Sequence, residues 1–320
     1  MNILLNNYCN LKCEYCFANK VLEEDKKGLS IKDFRWLLEF LKNSKDGNIR
    51  LIGGEPTLHP NFTDFILESS QRDFINSIHV FTNGTYPYRY NELFNLVSNR
   101  KRVSLLVNFN EKESVGEKKY KQALVNLDRL SKGRNIKITL GINFYKLNQD
   151  YTYLLEVANK YKIESVRWSL VVPNTEEKTK GMKDYFQSHI PQVIEFIKDS
   201  RLLGLKPHVD CNNIPLCFLD DSQLRLLAMI SEENLKTSIC NPVVDVKPDM
   251  KAIRCFALNN YQVDIRDFSN EKELRNHFSD VIDSRYKNKP LFEECSECAS
   301  FQLQKSSCAC LAYRKEGGVS

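Results

Sequence analysis

No long apolar stretch exists in this 320-residue chain: its longest unbroken run is Cys308 to Tyr313, far short of the roughly 18 residues a membrane-spanning helix needs. Nor does a basic segment or a small-residue cleavage site flank the apolar Ile3-Leu4-Leu5 at the start, so a secretion signal is lacking and a soluble protein of the reducing cytoplasm is expected. Neither sign of charge dominates, with 46 basic and 41 acidic residues interspersed and a net charge of +5. Runs such as Glu117-Lys118-Lys119 read as solvated faces, and neither nucleic acid nor membrane is expected as a partner. The five histidines, His59, His79, His189, His208 and His277, show no paired ligand spacing, although His208 stands on a strand leading to a cysteine. Cysteine is missing from the whole middle of the chain, between Cys16 and Cys211.

What is present is sulfur at both ends. Eleven cysteines in a chain with 42% hydrophobic residues point to metal or cluster ligation in a compartment where disulfides seldom persist. The length suffices for one large domain or two ordinary ones. Between the sulfur-rich ends, short β-branched runs alternate with segments of helical period. Strands are predicted at Asn2 to Leu5, Asn48 to Ile52, Ser77 to Phe81, Val103 to Asn108, Ile136 to Asn143 and Ser165 to Val172, with a seventh at Pro207 to Asp210. Ser30 caps a helix with an apolar face of Ile31, Phe34, Leu37, Leu38 and Leu41, and Pro60 opens one that turns Phe62, Phe65 and Ile66 inward. Further helices read Tyr90 to Val97, Tyr120 to Leu130, Tyr151 to Tyr161 and, opening near Pro191, Val193 to Leu203. Six β/α units in succession imply a parallel sheet with its chemistry at the C-terminal strand ends. Polar or glycine motifs stand there: Gly53-Gly54-Glu55-Pro56, Thr82-Asn83-Gly84, Asn108-Phe109-Asn110 and Asn143. Near residue 205 the pattern gives way to prolines and eight cysteines, which read as a second, loop-rich domain.

Cys9, Cys13 and Cys16 lie in one loop after the first strand. Three thiolates on a four-iron cluster leave one iron open to a substrate or cofactor, since such clusters normally take four cysteines; a zinc site or a fourth ligand from the C-terminal end are the alternatives. Gly53 and Gly54 let the backbone approach a ligand closely, and the Glu55 carboxylate can accept from an ammonium.

Cys9, Cys13 and Cys16, with Tyr15 before the third, together with Gly53-Gly54-Glu55-Pro56, resemble the signature of the radical S-adenosylmethionine (SAM) enzymes over roughly residues 1 to 205. The resemblance implies a partial (β/α)6 barrel, an α/β fold, in which a 4Fe–4S cluster on the three cysteines chelates SAM. The reduced cluster delivers an electron, methionine leaves, and a 5′-deoxyadenosyl radical abstracts hydrogen from the substrate. It places Gly53, Gly54, Glu55, Thr82, Asn83 and Asn108 around SAM, with Asn143, Arg167 and Ser169 along the cavity. Cys240 and Cys255, with Met250 between them, resemble the opening of the SPASM and twitch auxiliary-cluster domains, with Met250 where that family has glycine.

That second resemblance implies a loop-rich α+β domain over residues 206–320, after a barrel over 1–205, with one or two auxiliary 4Fe–4S clusters. Cys240, Cys255, Cys295 and Cys298 make one ligand set; Cys308 and Cys310, and then Cys211 and Cys217, are further ligands. The last three cysteine spacings depart from the full SPASM pattern. Asp210 and Cys211 are alternatively catalytic groups at the cavity. The leading expectation is an enzyme that modifies a ribosomally made peptide by crosslinking, thioether formation, epimerisation or oxidation. It would draw on an electron donor such as flavodoxin or ferredoxin and on a separate leader-recognition protein. A small-molecule dehydrogenase, a protein-residue oxidase and a non-catalytic iron–sulfur redox sensor are the other readings.

Overall fold

The computed structural model describes residues 1–16, 18, 27–86, 90–98, 101–133, 136–171, 182–211, 214–230, 240, 243–287, 289–290, 292–304 and 310–311. Seven strands alternate with helices: β1 (Asn2–Leu4), α1 (Ile31–Asn43), β2 (Asn48–Ile52), α2 (Phe62–Ser70), β3 (Ser77–Thr82), α3 (Tyr90–Ser98), β4 (Arg102–Asn108), α4 (Glu117–Ser131), β5 (Ile136–Phe144), α5 (Thr152–Lys160), β6 (Ser165–Leu170), α6 (Met182–Leu202) and β7 (Lys206–Val209). After α7 (Asp221–Ile230) come β8 (Asp245–Val246), β9 (Lys251–Ile253), β10 (Val263–Asp264), α8 (Glu271–Phe278) and α9 (Ala299–Gln304). All ten strands share one sheet in the order β10-β9-β8-β1-β2-β3-β4-β5-β6-β7. From β8 through β1 to β7 the neighbours are parallel, while β9 and β10 are antiparallel.

The helices form where the sequence places their caps. The Ser30 hydroxyl accepts from the Asp33 amide at 3.0 Å, and Phe34, Leu37, Leu38 and Leu41 of α1 are buried. Phe62, Phe65 and Ile66 of α2 turn into the same core, with the Phe34 and Phe65 rings 4.6 Å apart. One boundary differs. The helix expected to open near Pro191 begins at Met182 and carries Pro191 inside it. A proline there forfeits one helical hydrogen bond. The preceding turn is fixed instead by burial of Phe186 and Ile190 and by the Tyr185 hydroxyl, which donates to the Val171 carbonyl at 2.8 Å.

The two faces of the sheet differ in kind. Ile49, Leu51, Ile78, Val80, Val103, Leu105, Val107, Leu140, Val166 and Trp168 are buried in the shared core. The alternate positions are polar and stand in register: Asn48 opposite Ser77, Arg50 opposite His79, His79 opposite Ser104, Asn143 opposite Ser169 and Arg167 opposite His208. A parallel sheet covered on both faces reads as continuous apolar runs, so this alternation marks a face that lines a cavity. The sheet also curls around it. Flat, β3 and β6 would stand about 14 Å apart at three strand spacings, yet the Arg167 guanidinium lies 5.8 Å from the centre of the Phe81 ring. The outer strands β7 and β10 do not meet, and the result is a partial barrel.

Asp245 marks the seam between β1 and β8. Its carboxylate accepts from the Asn2 amide at 2.7 Å, and burial pushes its pKa up to about 7. The native state therefore holds a proton that the unfolded chain releases. Stability from this group is full below its ordinary value of 3.8 and is lost as pH rises toward 7. Asp245→Asn should accordingly gain thermal midpoint over wild type progressively between those values and keep a constant margin above them. A margin independent of pH from 4 to 8 would show that Asp245 titrates normally.

Candidate functional site

The Cys9–Cys16 loop leaves β1 and lies directly against the turn that leaves β2. The Gly54 amide donates to the Asn6 carbonyl at 3.0 Å and the Glu55 amide to the Tyr8 carbonyl at 2.9 Å. The Asn6 side chain returns a bond to the Glu55 carbonyl at 2.8 Å. A Cβ on Gly54 would stand 2.2 Å from the Tyr8 oxygen and one on Gly53 2.7 Å from Asn6 Oδ1. The close approach that the glycines permit is thus to the chain's own backbone, immediately before Cys9.

Glu55 is fully buried. Its Oε1 accepts from the Thr57 amide at 3.2 Å, the Thr57 hydroxyl at 2.5 Å and the Thr82 hydroxyl at 2.7 Å, while Oε2 accepts from the Asn83 amide at 2.7 Å. Burial raises its pKa, and these donors oppose the rise. The carboxylate caps the short 3-10 turn Pro56–Leu58, where proline at the first position suits the missing donor. It also ties the end of β2 to the end of β3.

Asn83 continues the connection. Its side-chain Nδ2 lies 3.7 Å from Cys9 Sγ and 2.8 Å from Asn10 Oδ1. The Asn110 amide lies 3.9 Å from Cys13 Sγ, and the Leu11 amide donates to Cys9 Sγ at 3.3 Å. The Tyr15 hydroxyl donates to Asn110 Oδ1 at 2.6 Å, and its ring stands 5.3 Å from that of Tyr145. Burial pushes the Cys9 thiol up to about 11 and raises Cys13 as well. Cys9 and Cys13, whose sulfurs receive N–H donors while burial disfavours the thiolate, suit a bound cation that stabilises thiolates, and with Cys16 on the same loop the donor set fits a 4Fe–4S cluster. Among the described residues no three His, Cys, Asp or Glu side chains already close on one point.

Lys119 was read in the sequence as part of a solvated run. In the structure its ammonium donates to the Asn10 carbonyl at 2.5 Å and its charge favours the Cys13 thiolate. The two partners lie on separate elements, so no local spacing announces the pair. Asn10 and Thr85, whose side chains meet at 2.8 Å, were missed for the same reason.

Across the lumen, Asn108 lies in register with Gly141, and a Cβ there would meet Asn108 Oδ1 at 2.6 Å. Ser169 donates to Asn143 Oδ1 at 2.6 Å, and Asn143 also lies beside the Tyr15 hydroxyl. Next stands Arg167, paired with Asp210, and Cys211 follows at the end of β7. Cys211 is exposed to solvent, yet the protein around it desolvates and raises the thiol; Arg167 opposes the rise, and Cys255, Cys240 and Asp245 add to it.

The C-terminal thiols are brought together only in part. Cys240 receives a hydrogen bond from Cys310 and is lowered to about 6; Cys255, beside Cys240, is raised by burial to about 12. Arg254 donates to the Cys240 carbonyl and to Asp283 Oδ1, each at 2.8 Å, and so fixes this corner. Cys295 and Cys298 share one turn, the Cys298 amide donating to the Cys295 carbonyl at 3.2 Å. Cys217 lies exposed in the 3-10 turn Leu216–Phe218. Cys308 lies outside the described residues.

Two expectations follow. Gly54→Ala should push the Cys9 loop off the β2 turn and cost about four irons per chain after anaerobic reconstitution, by the composition of one 4Fe–4S cluster; unchanged iron would mean that the contact is dispensable. Glu55→Ala should lower stability by on the order of 3 kcal/mol, because buried donors on Thr57, Thr82 and Asn83 lose their acceptor. An unchanged denaturation midpoint would show that these donors are solvated.

Among the described residues no helix is long and apolar enough to cross a membrane. The GTP 3′,8-cyclase of Alkaliphilus oremlandii is 29% identical over 152 residues, 46% of either chain, and that of Pasteurella multocida 29% over 86 residues, 26% of either. The matched stretches thus span less than half of these curated relatives. Among solved structures, Streptococcus suis SuiB bound to S-adenosylmethionine superposes with a TM-score of 0.63 at 14% identity, covering 99% of this chain and 72% of that one. SuiB bound to its precursor peptide SuiA gives 0.60 at 16%, covering 99% and 70%. The family model of the radical SAM superfamily matches residues 3–142. That match opens on β1 and ends inside β5, taking in the cysteine loop and the glycine turn, so that this N-terminal stretch resembles the radical SAM superfamily.

Proposed function

We propose that this radical SAM enzyme modifies a peptide, with the three-cysteine loop and the C-terminal thiols on either side of the substrate. The observation that carries the reading is the polar inner face, which runs from Tyr15 through Asn143 and Ser169 to Asp210 and Cys211. It opens where β7 and β10 fail to meet, which suits an extended chain entering sideways. The likeness in fold to SuiB, crystallised with a precursor peptide, supports the same reading. The superfamily's cofactors are a 4Fe–4S cluster and SAM, which when bound supply a 5′-deoxyadenosyl radical that removes hydrogen from substrate.

The chain's own groups bind and orient. Cys9, Cys13 and Cys16 hold the cluster. The Gly53-Gly54-Glu55 turn holds the ammonium end of SAM, with Glu55 fixing the turn from beneath; Thr82, Asn83 and Asn108 line the remainder. Residues 206–320 act as the auxiliary unit to a barrel of 1–205, even though β7 and β8 extend the same sheet. Cys240, Cys255, Cys295 and Cys298 would hold one auxiliary 4Fe–4S cluster, and Cys308 and Cys310, with Cys211 and Cys217, would be the ligands of a second. Asp210 faces the reacting carbon, as does Cys211 where it is not a cluster ligand; an external flavodoxin or ferredoxin supplies electrons, and a separate protein presents the leader.

Reduced, anaerobically reconstituted protein should release 5′-deoxyadenosine from SAM, and the triple Cys9, Cys13, Cys16→Ala variant should release none while keeping about four or eight C-terminal irons, one or two clusters. Loss of all iron in that variant would mean one shared site. A short peptide encoded beside this gene should change mass when added. The likeness to GTP 3′,8-cyclases favours a second reading, a nucleotide cyclase; consumption of GTP with no change in any such peptide would establish it instead.

A further inference from the structure

Between the two sets of thiols, Arg167 presents a guanidinium held in a fixed orientation with donors left over. Its Nη2 pairs with Asp210 at the end of β7, and the Phe81 ring lies across the lumen at 5.8 Å. Its register neighbours are Gly141, which contributes no side chain, and His208, which is exposed. Among the described residues no other hydrogen bond to the guanidinium forms, and only 25% of the side chain is exposed. A desolvated cation with unspent donors is costly until an acceptor takes them. A planar fork already oriented by a second carboxylate is suited to a bidentate anion.

We propose that Arg167, oriented by Asp210 and Phe81, anchors a carboxylate of the substrate. This rests on the peptide-modifying reading above and narrows it: the peptide brings an acidic side chain or its C-terminal carboxylate between the cysteine loop and Cys211. The charge around the site selects a single carboxylate over a polyphosphate. Asp210 already neutralises part of the guanidinium. A nucleoside triphosphate would bring several negative charges to one cation that Asp210 already shares, whereas one carboxylate is matched by the remaining donors.

The test is arginine labelling by phenylglyoxal on the reconstituted full chain with SAM, mapped by tryptic mass spectrometry, with glutarate and tripolyphosphate as probes. Arg167 should label in their absence, and glutarate at about ten times its dissociation constant should slow it about tenfold, by occupancy of the site. Arg35, an exposed arginine paired with Glu68, should label at an unchanged rate. Asp210→Asn should keep Arg167 reactive but weaken protection, because the fork loses its orientation. Absence of labelling in the free protein, no protection by glutarate, or better protection by tripolyphosphate would each overturn the proposal. 5′-Deoxyadenosine is measured on the same preparation. Its absence alongside intact protection would defeat the radical SAM reading and leave the anion site standing; its presence without protection would defeat the anchor alone.

Discussion

The Glu55 carboxylate is the point on which the C-terminal end of the sheet depends. Buried completely, it takes donors from Thr57 on its own turn and from Thr82 and Asn83 at the end of β3. Its backbone meanwhile clasps Asn6 and Tyr8, one residue before the first cysteine. Asn83 then reaches both Cys9 and Asn10, and Lys119 closes the loop from α4. Three strand ends and the cysteine loop are thereby held to one another without any ligand. Groups fixed to one another in this way meet what preorganisation requires of groups that must act at set distances.

The second organising fact is the one-sided sheet. Apolar alternate residues bind the helices from outside, and the polar residues between them cannot be buried without partners. Neighbouring strands supply some of those partners, as in the chain Asn48, Ser77, His79 and Ser104 across β2, β3 and β4. At the base of the lumen these groups satisfy one another. Near the strand ends Arg167 and Asn108 retain capacity, and the chemistry belongs there. The same division separates residues that hold the barrel together from residues that meet substrate.

Much of this was legible in the sequence because it depends on local periodicity. Strands β2 to β6 lie where β-branched runs predicted them, and α1 begins at the serine that caps it. The cysteine triad and the glycine turn are contiguous motifs and stand out for that reason. What could not be read is whatever depends on distant pairing: Lys119 on Asn10, Asn110 on Tyr15, or the burial of Glu55, which in sequence looks as free as any glutamate. Pro191 misled for a related reason. Its local preference to open a helix is outweighed by Phe186 and Ile190, whose burial is decided by the core as a whole.

Met250 sits at φ +66° in the turn between β8 and β9, a conformation glycine adopts at no steric cost and most other residues avoid at roughly 1–2 kcal/mol. Its side chain is almost wholly buried, in the same core as Ile3 of β1 and Phe34 of α1. The left-handed turn is therefore favourable only once that core exists to receive the thioether chain. An isolated C-terminal hairpin gains nothing to offset the strain, so the turn depends on the core it shares with β1 and α1. One residue thus couples the turn between Cys240 and Cys255 to the core of the N-terminal wall.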